Sequence, residues 1–339
     1  MKKLQNSLYI TKQKTYVHKE RETIVIEHEQ QKLMQLPVHA ISSIFCFGNV
    51  MVSPFLLGFC AEKNIGLAFF NQYGRFLARM QGKQSGNVLL RRAQYKASEI
   101  SVGEVARNIV AAKILSSRAV LQRQLRNYGE HQALNNAVSR MKHSLHQARN
   151  CTAVEPLRGI EGEAAATYFS VFNDLIRDAS ENGFTFNGRS RRPPKDAVNA
   201  MLSFLYSVLG QDVSAALQGV GLDPQVGFLH ADRPGRDSLA QDILEEFRAW
   251  WIDRLVLTLI NRKQVDIKGF VIEASGAVQM NDVTRKALLA AYQERKQEEV
   301  EHPFLKEKVP IGLLPHIQAQ LLASHLRGDL QQYPPFVAR

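Results

Sequence analysis

The chain has 339 residues, 45% hydrophobic and 22% charged, with a formal net charge of +11. That length supports two cored domains, and that composition excludes a disordered, collagen-like or disulfide-stapled chain. The positive excess favours a polyanionic partner, nucleic acid first, over the plainer reading of a merely cationic surface.

The basic N-terminus, MKKLQNSLYITK, has no apolar stretch behind it, and no run of 18 apolar residues occurs anywhere. Neither a signal peptide nor a membrane span is expected, and the location expected is cytoplasmic. Cys46, Cys60 and Cys151 form no CxxC pair. They are expected as free thiols, the first two in a core.

Residues 1–85 have the texture of β structure. Short runs of β-formers at Leu8–Thr11, Thr15–His18, Thr23–Glu27, Ile41–Cys46, Gly66–Phe70 and Phe76–Met80 are separated by polar breaks. Asn71–Gly74 suits a hairpin loop, and Ser53 followed by Pro54 suits the start of a short helix, Pro54–Glu62. No phosphate loop, carboxylate pair or histidine cluster occurs here, so this part is expected to be structural and to form an interface.

Lys83–Asn87, KQSGN, is a plausible linker, and from there the pattern is helical. Helices are expected within Val88–Tyr128, Gln132–Asn150, Ile160–Glu181, Asp196–Gln218, Leu239–Ile260, Asp282–Glu301 and Ile311–Leu326. The fold class expected is therefore α+β in two domains. A small, mainly-β domain spans 1–82, a linker 83–88, and a larger all-α domain 89–339.

Three stretches of the helical part could carry chemistry. In LRGIEGEAAATYF (157–169), helical spacing puts Glu161, Ala164, Ala165 and Tyr168 on one face, while Glu163 points to solvent. The small residues leave room beside the Glu161 carboxylate; an ordinary helix start favoured by the macrodipole is the competing reading. In NGRSRRPPKDAVNAMLSFLY (187–206), Arg189, Arg191, Arg192 and Lys195 crowd a loop stiffened by two prolines ahead of a helix. Such a loop suits phosphate contacts, or is a solvated charge run. Asn199 either bonds that loop or faces solvent.

The third stretch is GFLHADRPGRDSLAQDILEEFR (227–248). His230 lies in a Gly/Pro/Arg loop that runs into a helix, with Ser238 and Gln241 spaced as a capping box. Asp242 and Glu245 share one edge of that helix, and Glu246 lies nearer its apolar stripe, so spacing alone does not choose among the acids. One imidazole with carboxylates can hold a divalent cation, and the nearby Arg233, Arg236 and Arg248 suit phosphate. A salt bridge would satisfy the same acids. No GxSxG, HExxH or P-loop competes, and His302 and His316 are expected as polar contacts or surface groups.

In this order and approximate separation, GIEGEAAATYF, GRSRRPPKDAVNAMLSFLY and GFLHADRPGRDSLAQDILEEFR resemble the CRISPR-associated spacer-integrating endonucleases, the universal nuclease-integrases of CRISPR adaptation. The opening NSLYITKQKTYV, GRFLARMQGKQSGNVLLRRAQY and the closing YQERKQEEVEHPFLKEKVPIGLLPHIQAQLLASHLRGDLQQYPPF resemble the type I-C branch. The likeness covers essentially the whole chain. It implies an N-terminal β domain, a C-terminal α domain, and a homodimer that works with a small ferredoxin-like adaptation partner. It also implies Mg²⁺- or Mn²⁺-dependent cleavage and joining of DNA, with prespacer DNA inserted at the leader-repeat of a CRISPR array by attack of a 3′-OH.

By motif position the resemblance puts metal ligands at Glu161, His230 and Glu245, a supporting acid at Asp242 and a tyrosine of the reacting centre at Tyr168. Glu246 is left out. Arg189, Arg191, Arg192, Arg236 and Arg248 are the DNA-contact candidates. The competing functions are a non-catalytic basic scaffold for nucleic acid and a structure-specific repair nuclease using the same site.

Overall fold

The computed structural model describes residues 6–63, 65–80, 87–100, 103–177 and 179–338. Most of the expected linker, 83–88, lies outside them.

The six expected strands are present, with two more. They are β1 (Asn6–Ile10), β2 (Thr15–Glu20), β3 (Thr23–His28), β4 (Gln31–Pro37), β5 (Ile41–Phe47), β6 (Val50–Val52), β7 (Gly66–Phe70) and β8 (Phe76–Arg79). The strands not anticipated are β4 and β6. QKLMQLP has no clean alternation because β4 is an edge strand with mostly exposed side chains, and β6 is three residues long. One sheet has the order β1-β5-β7-β8, the other β4-β3-β2-β6. Their inward residues, among them Val17, Ile24, Ile44 and Leu67, share a core with α1 (Pro54–Glu62). As expected, Ser53 caps α1, its Oγ accepting from the Leu56 N–H at 3.1 Å. The Asn71 side chain closes the β7–β8 hairpin by accepting from the Tyr73 and Arg75 N–H groups. Cys46 and Cys60 are free and buried, and burial pushes their thiols up to about 12 and about 11.

The helical part contains α2 (Val88–Ile100), α3 (Glu104–Tyr128), α4 (Gln132–Asn150), α5 (Val154–Ser170), α6 (Ala179–Asn182), α7 (Ala197–Val220), α8 (Ser238–Glu245), α9 (Arg254–Asn261), α10 (Asp282–Gln297) and α11 (Leu314–Arg327). The all-α expectation is corrected by two short ladders, β9 (Phe270–Ile272) with β10 (Val278–Met280), and β11 (Glu299–Glu301) with β12 (Lys308–Pro310). Three-residue strands carry too few side chains to show a period of two.

The chain clusters into two compact units, and neither is one continuous stretch. The first joins the described residues of 1–85 to 285–298 and 310–312. Within it, Lys296 on α10 donates to Ser7 Oγ at 3.1 Å, and the Ser7 and Ser43 hydroxyls share a hydrogen bond. The second unit takes 86–284, 299–309 and 313–339. Among the described residues α7 alone has the length and apolar composition to cross a membrane, but most of its apolar window is buried, and it packs on α8, α9 and α11.

Several helix expectations shift. The helix expected over Ile160–Glu181 ends at Ser170, and the one expected over Asp282–Glu301 ends at Gln297, with β11 taking Glu299–Glu301. The helix expected to begin at Ile160 begins at Val154, so Glu161 sits two turns inside α5 and not at its start, which removes the macrodipole reading. The helix expected over Leu239–Ile260 is three pieces. Turns tightened to i→i−3 bonds at Glu246 and Phe247 are followed by a wide π-helical turn, Arg248–Asp253, and then α9.

Candidate functional site

Helix α3 packs against both α5 and α8, and the three elements converge on one side chain. Lys113 of α3 puts its ammonium against Glu161 Oε1 of α5 and 2.7 Å from Glu245 Oε2 of α8. Glu245 is 2% exposed, Lys113 13% and Glu161 23%, so the pair is largely withdrawn from water while the Glu161 side keeps an opening. His230 joins from the loop before α8, its Nε2 4.0 Å from Glu245 Oε1. Lys113 thus brings Glu161 and Glu245 to one point, although 84 positions separate the two acids in sequence, and His230 stands beside Glu245.

Asp242 builds the loop that delivers the histidine. It is fully buried, and its two oxygens accept from the backbone N–H groups of Phe228, Leu229 and His230 at 2.6–3.0 Å. Its Oδ1 also lies 2.6 Å from His230 Nδ1. A carboxylate accepting the backbone donors leaves Nδ1 the donor role, which fixes the ring with Nε2 on the Glu245 side. Gly227 is required here: a Cβ would stand 2.9 Å from Asp242 Oδ2 and 2.9 Å from Ser238 Cβ. Arg158, one turn before Glu161 on α5, donates to the Leu229 carbonyl at 2.5 Å and ties α5 to the same loop. The expected capping box is absent. Ser238 Oγ donates to the Ala231 carbonyl, and Gln241 Oε1 instead accepts from Arg248.

Electrostatically, burial would raise the Glu245 carboxyl, but Arg248, Lys113 and His230 overcome it and hold the group well below the ordinary carboxylate range. Glu246 faces the other way. Fully buried, it accepts from Tyr333 Oη (2.6 Å), Gln318 Nε2 (2.8 Å) and the Phe336 N–H (2.7 Å), and burial pushes it up to about 8. It anchors the C-terminal segment, and His302, also buried, bonds Gln318 in the same network.

Tyr168, expected at the reacting centre, bonds a further buried acid, Asp253. Its hydroxyl donates to Asp253 Oδ2 at 3.0 Å, and Tyr206 donates to Asp253 Oδ1. Burial raises Asp253 to about 6. The arginines divide. Arg191 and Arg192 are exposed on their loop. Arg189 is turned inward, donating to Asn199 Oδ1 (2.5 Å) and Ser203 Oγ (3.1 Å) and lying over the Tyr206 ring. Arg248 pairs with Glu245 and lies over the same ring, and Arg236 is half-buried. For Arg189 and Arg248, expected on DNA, the protein itself takes up the guanidinium. Asn199, fully buried, bonds the loop: its Nδ2 donates to the Gly188 carbonyl, and its Oδ1 accepts from the Ser190 N–H.

The sequence reading missed Lys113, Tyr206 and Asp253. For Lys113 a signal was present: Ile109, Val110, Ser116 and Ser117, its helical neighbours at i±3 and i±4, are all buried, so a lysine in RNIVAAKILSSRAV lies on the core face of α3 and needs an acid.

The donor set fits a divalent cation. Two carboxylates from different helices already bracket one positive charge, and an oriented imidazole stands beside them; oxygen-rich ligation with one nitrogen suits Mg²⁺ or Mn²⁺. With the ammonium between the acids, no three His, Cys, Asp or Glu side chains among the described residues stand at ligating distance.

Comparison with known proteins bears on this geometry. The family described as CRISPR associated protein Cas1 matches residues 8–294. The CRISPR-associated endonuclease Cas1 1 of Chlorobaculum tepidum is 49% identical over 344 residues, covering 100% of both chains. Among solved structures, a Cas1 protein from Thermotoga maritima superposes with a TM-score of 0.80 at 26% identity, over 95% of this chain and 97% of its own. A casposase bound to its integration product superposes with a TM-score of 0.82 at 21% identity, over 97% and 93%. That last likeness is one of fold.

Proposed function

Since the chain belongs to the Cas1 family of CRISPR-associated endonucleases, we propose that it is a metal-dependent DNA endonuclease-integrase that inserts new spacers into a CRISPR array. The observation that carries the reading is that Glu161 and Glu245 share one cationic position while His230 Nε2 stands 4.0 Å from Glu245 Oε1, in a chain of net charge +11.

Glu161, Glu245 and His230 Nε2 would hold the Mg²⁺ or Mn²⁺. A divalent ion there supplies charge neutralisation at the phosphodiester and acidifies the attacking hydroxyl. The protein supplies the rest. Asp242 fixes the tautomer and angle of His230, and Arg248 holds Glu245 ionised while it is buried. Asp253, Tyr168 and Tyr206 brace the helix behind Arg248. Exposed Arg191 and Arg192, with Arg236, meet the DNA backbone, giving affinity that falls with salt. Water as nucleophile gives cleavage; a DNA 3′-OH gives strand transfer, and the positioning of DNA ends selects between them.

The β-rich part, 1–82, forms the homodimer in this reading, 89–339 carries catalysis, and a small ferredoxin-like adaptation protein bridges dimers in the cytoplasm. The resemblance of NSLYITKQKTYV, GRFLARMQGKQSGNVLLRRAQY and the closing stretch supports membership of the type I-C branch. The test is strand transfer of a short labelled duplex with 3′-OH ends into a leader-repeat plasmid. Glu161→Gln, His230→Ala and Glu245→Gln should each abolish joining while leaving the circular-dichroism spectrum unchanged, and EDTA should abolish it in the unmodified protein. Normal integration by all three folded variants would refute the reading, and chelator-insensitive binding without turnover would make the protein a scaffold.

A further inference from the structure

Lys113 has an unusual position for a lysine. It sits on the buried face of α3, between Ala112 and Ile114, which are 0% and 1% exposed, and both of its ion pairs go to the carboxylates assigned above to the metal. Without a positive charge between them, Glu161 and Glu245 would repel each other in a site where Glu245 is almost fully buried. An ammonium and a divalent ion cannot both occupy that position, since each would face the other's charge at contact distance.

We propose that Lys113 is a displaceable counter-ion: it holds Glu161 and Glu245 together before the metal arrives, and the metal must expel it to bind. The proposal rests on the metal-centre reading above and adds a consequence that reading lacks. Metal affinity is set by a competition inside the protein. The state competent to bind is the fraction in which the ammonium has left, and the apparent affinity is reduced by that fraction.

The competition predicts an order. In Lys113→Met, a side chain of similar length without charge, Mn²⁺ should bind about tenfold more tightly, because no competitor must leave. The metal-free protein should also melt earlier, because the carboxylates lose their counter-ion, and Mn²⁺ should raise its melting temperature by more than it raises that of the unmodified protein. In Lys113→Arg, a fixed charge that can bond both carboxylates at once should hold its place better, and Mn²⁺ should bind more weakly. The measurements are Mn²⁺ titration followed by electron paramagnetic resonance of the free ion, and thermal melts in EDTA and in Mn²⁺.

The order Met tighter than Lys tighter than Arg supports the proposal. If Lys113→Met does not fold in EDTA, its recovery on adding Mn²⁺ supports it equally. Equal affinities in the three proteins, or weaker binding by Lys113→Met, would overturn it. If in that case the unmodified protein binds Mn²⁺ and Glu161→Gln does not, the metal centre stands and only the role of Lys113 falls. Failure of all three proteins to bind Mn²⁺ would remove both.

Discussion

Glu245 and Glu246 are neighbours in sequence, both buried, and they do opposite things. Glu245 faces Lys113, Arg248 and His230, three groups that carry or can carry positive charge, and they keep it ionised against the cost of burial. Glu246 faces a phenol, an amide and a backbone N–H, none of them charged, and burial prevails so that it titrates near 8. Burial therefore does not define a functional acid. The charge of the groups around it decides whether it can serve a cation or pins a chain segment.

The largest expected difference between the two is in chemistry. Glu245→Gln should lower strand transfer by about 10³-fold or more, because a ligand and its charge are lost at the reacting centre. Glu246→Gln, if folded, should stay within a few-fold of the unmodified protein. Equal losses in a plasmid-integration assay would end the contrast. In stability the contrast reverses. Glu246→Ala strands the Gln318, Tyr333 and Phe336 donors in the core and should cost about 3 kcal/mol by urea denaturation. The same variant should leave Mn²⁺ affinity unchanged.

A smaller effect sharpens the Glu245 side. Asp242→Asn keeps the shape but weakens the hold on His230 Nδ1, and should lower metal affinity by about 10- to 100-fold, read by the same Mn²⁺ titration. The smallest effect is a pH slope. The folded protein keeps a proton on Glu246 between about 4.5 and about 8 that the unfolded chain has released, so this group's contribution is complete below 4.5 and is lost as pH rises to 8. For Glu245, depressed when folded, stability is present above 4.5 and is lost as pH falls below it. The melting temperature of Glu246→Gln relative to the unmodified protein should therefore climb from pH 5 to pH 8. A flat difference would mean that the three donors, and not burial, govern Glu246.

Local chemistry was legible in the residues. The six expected strands, the Ser53 cap on α1 and the helix Gln132–Asn150 were readable because alternation, capping and helical period are properties of neighbours along the chain. Edge strand β4 was not, since its side chains face solvent and carry no pattern. Spacing put Asp242 and Glu245 on one edge of a helix and gave Glu161 a face of small residues, but only the family resemblance joined Glu161, His230 and Glu245 as ligands and passed over Glu246.

The sequence by itself narrowed the candidates for a centre to a few acids and one loop imidazole, because those residue types and their helical faces are written locally. Only the tertiary structure decided what surrounds them. Lys113 reaches the acids because α3 packs between distant segments, Tyr168 is drawn to Asp253, and Arg189 and Arg248 turn inward. The physical reason is that a buried charge is governed by the nearest charges in space, and beside the local Arg248 those include Lys113, 132 positions from Glu245 in the chain.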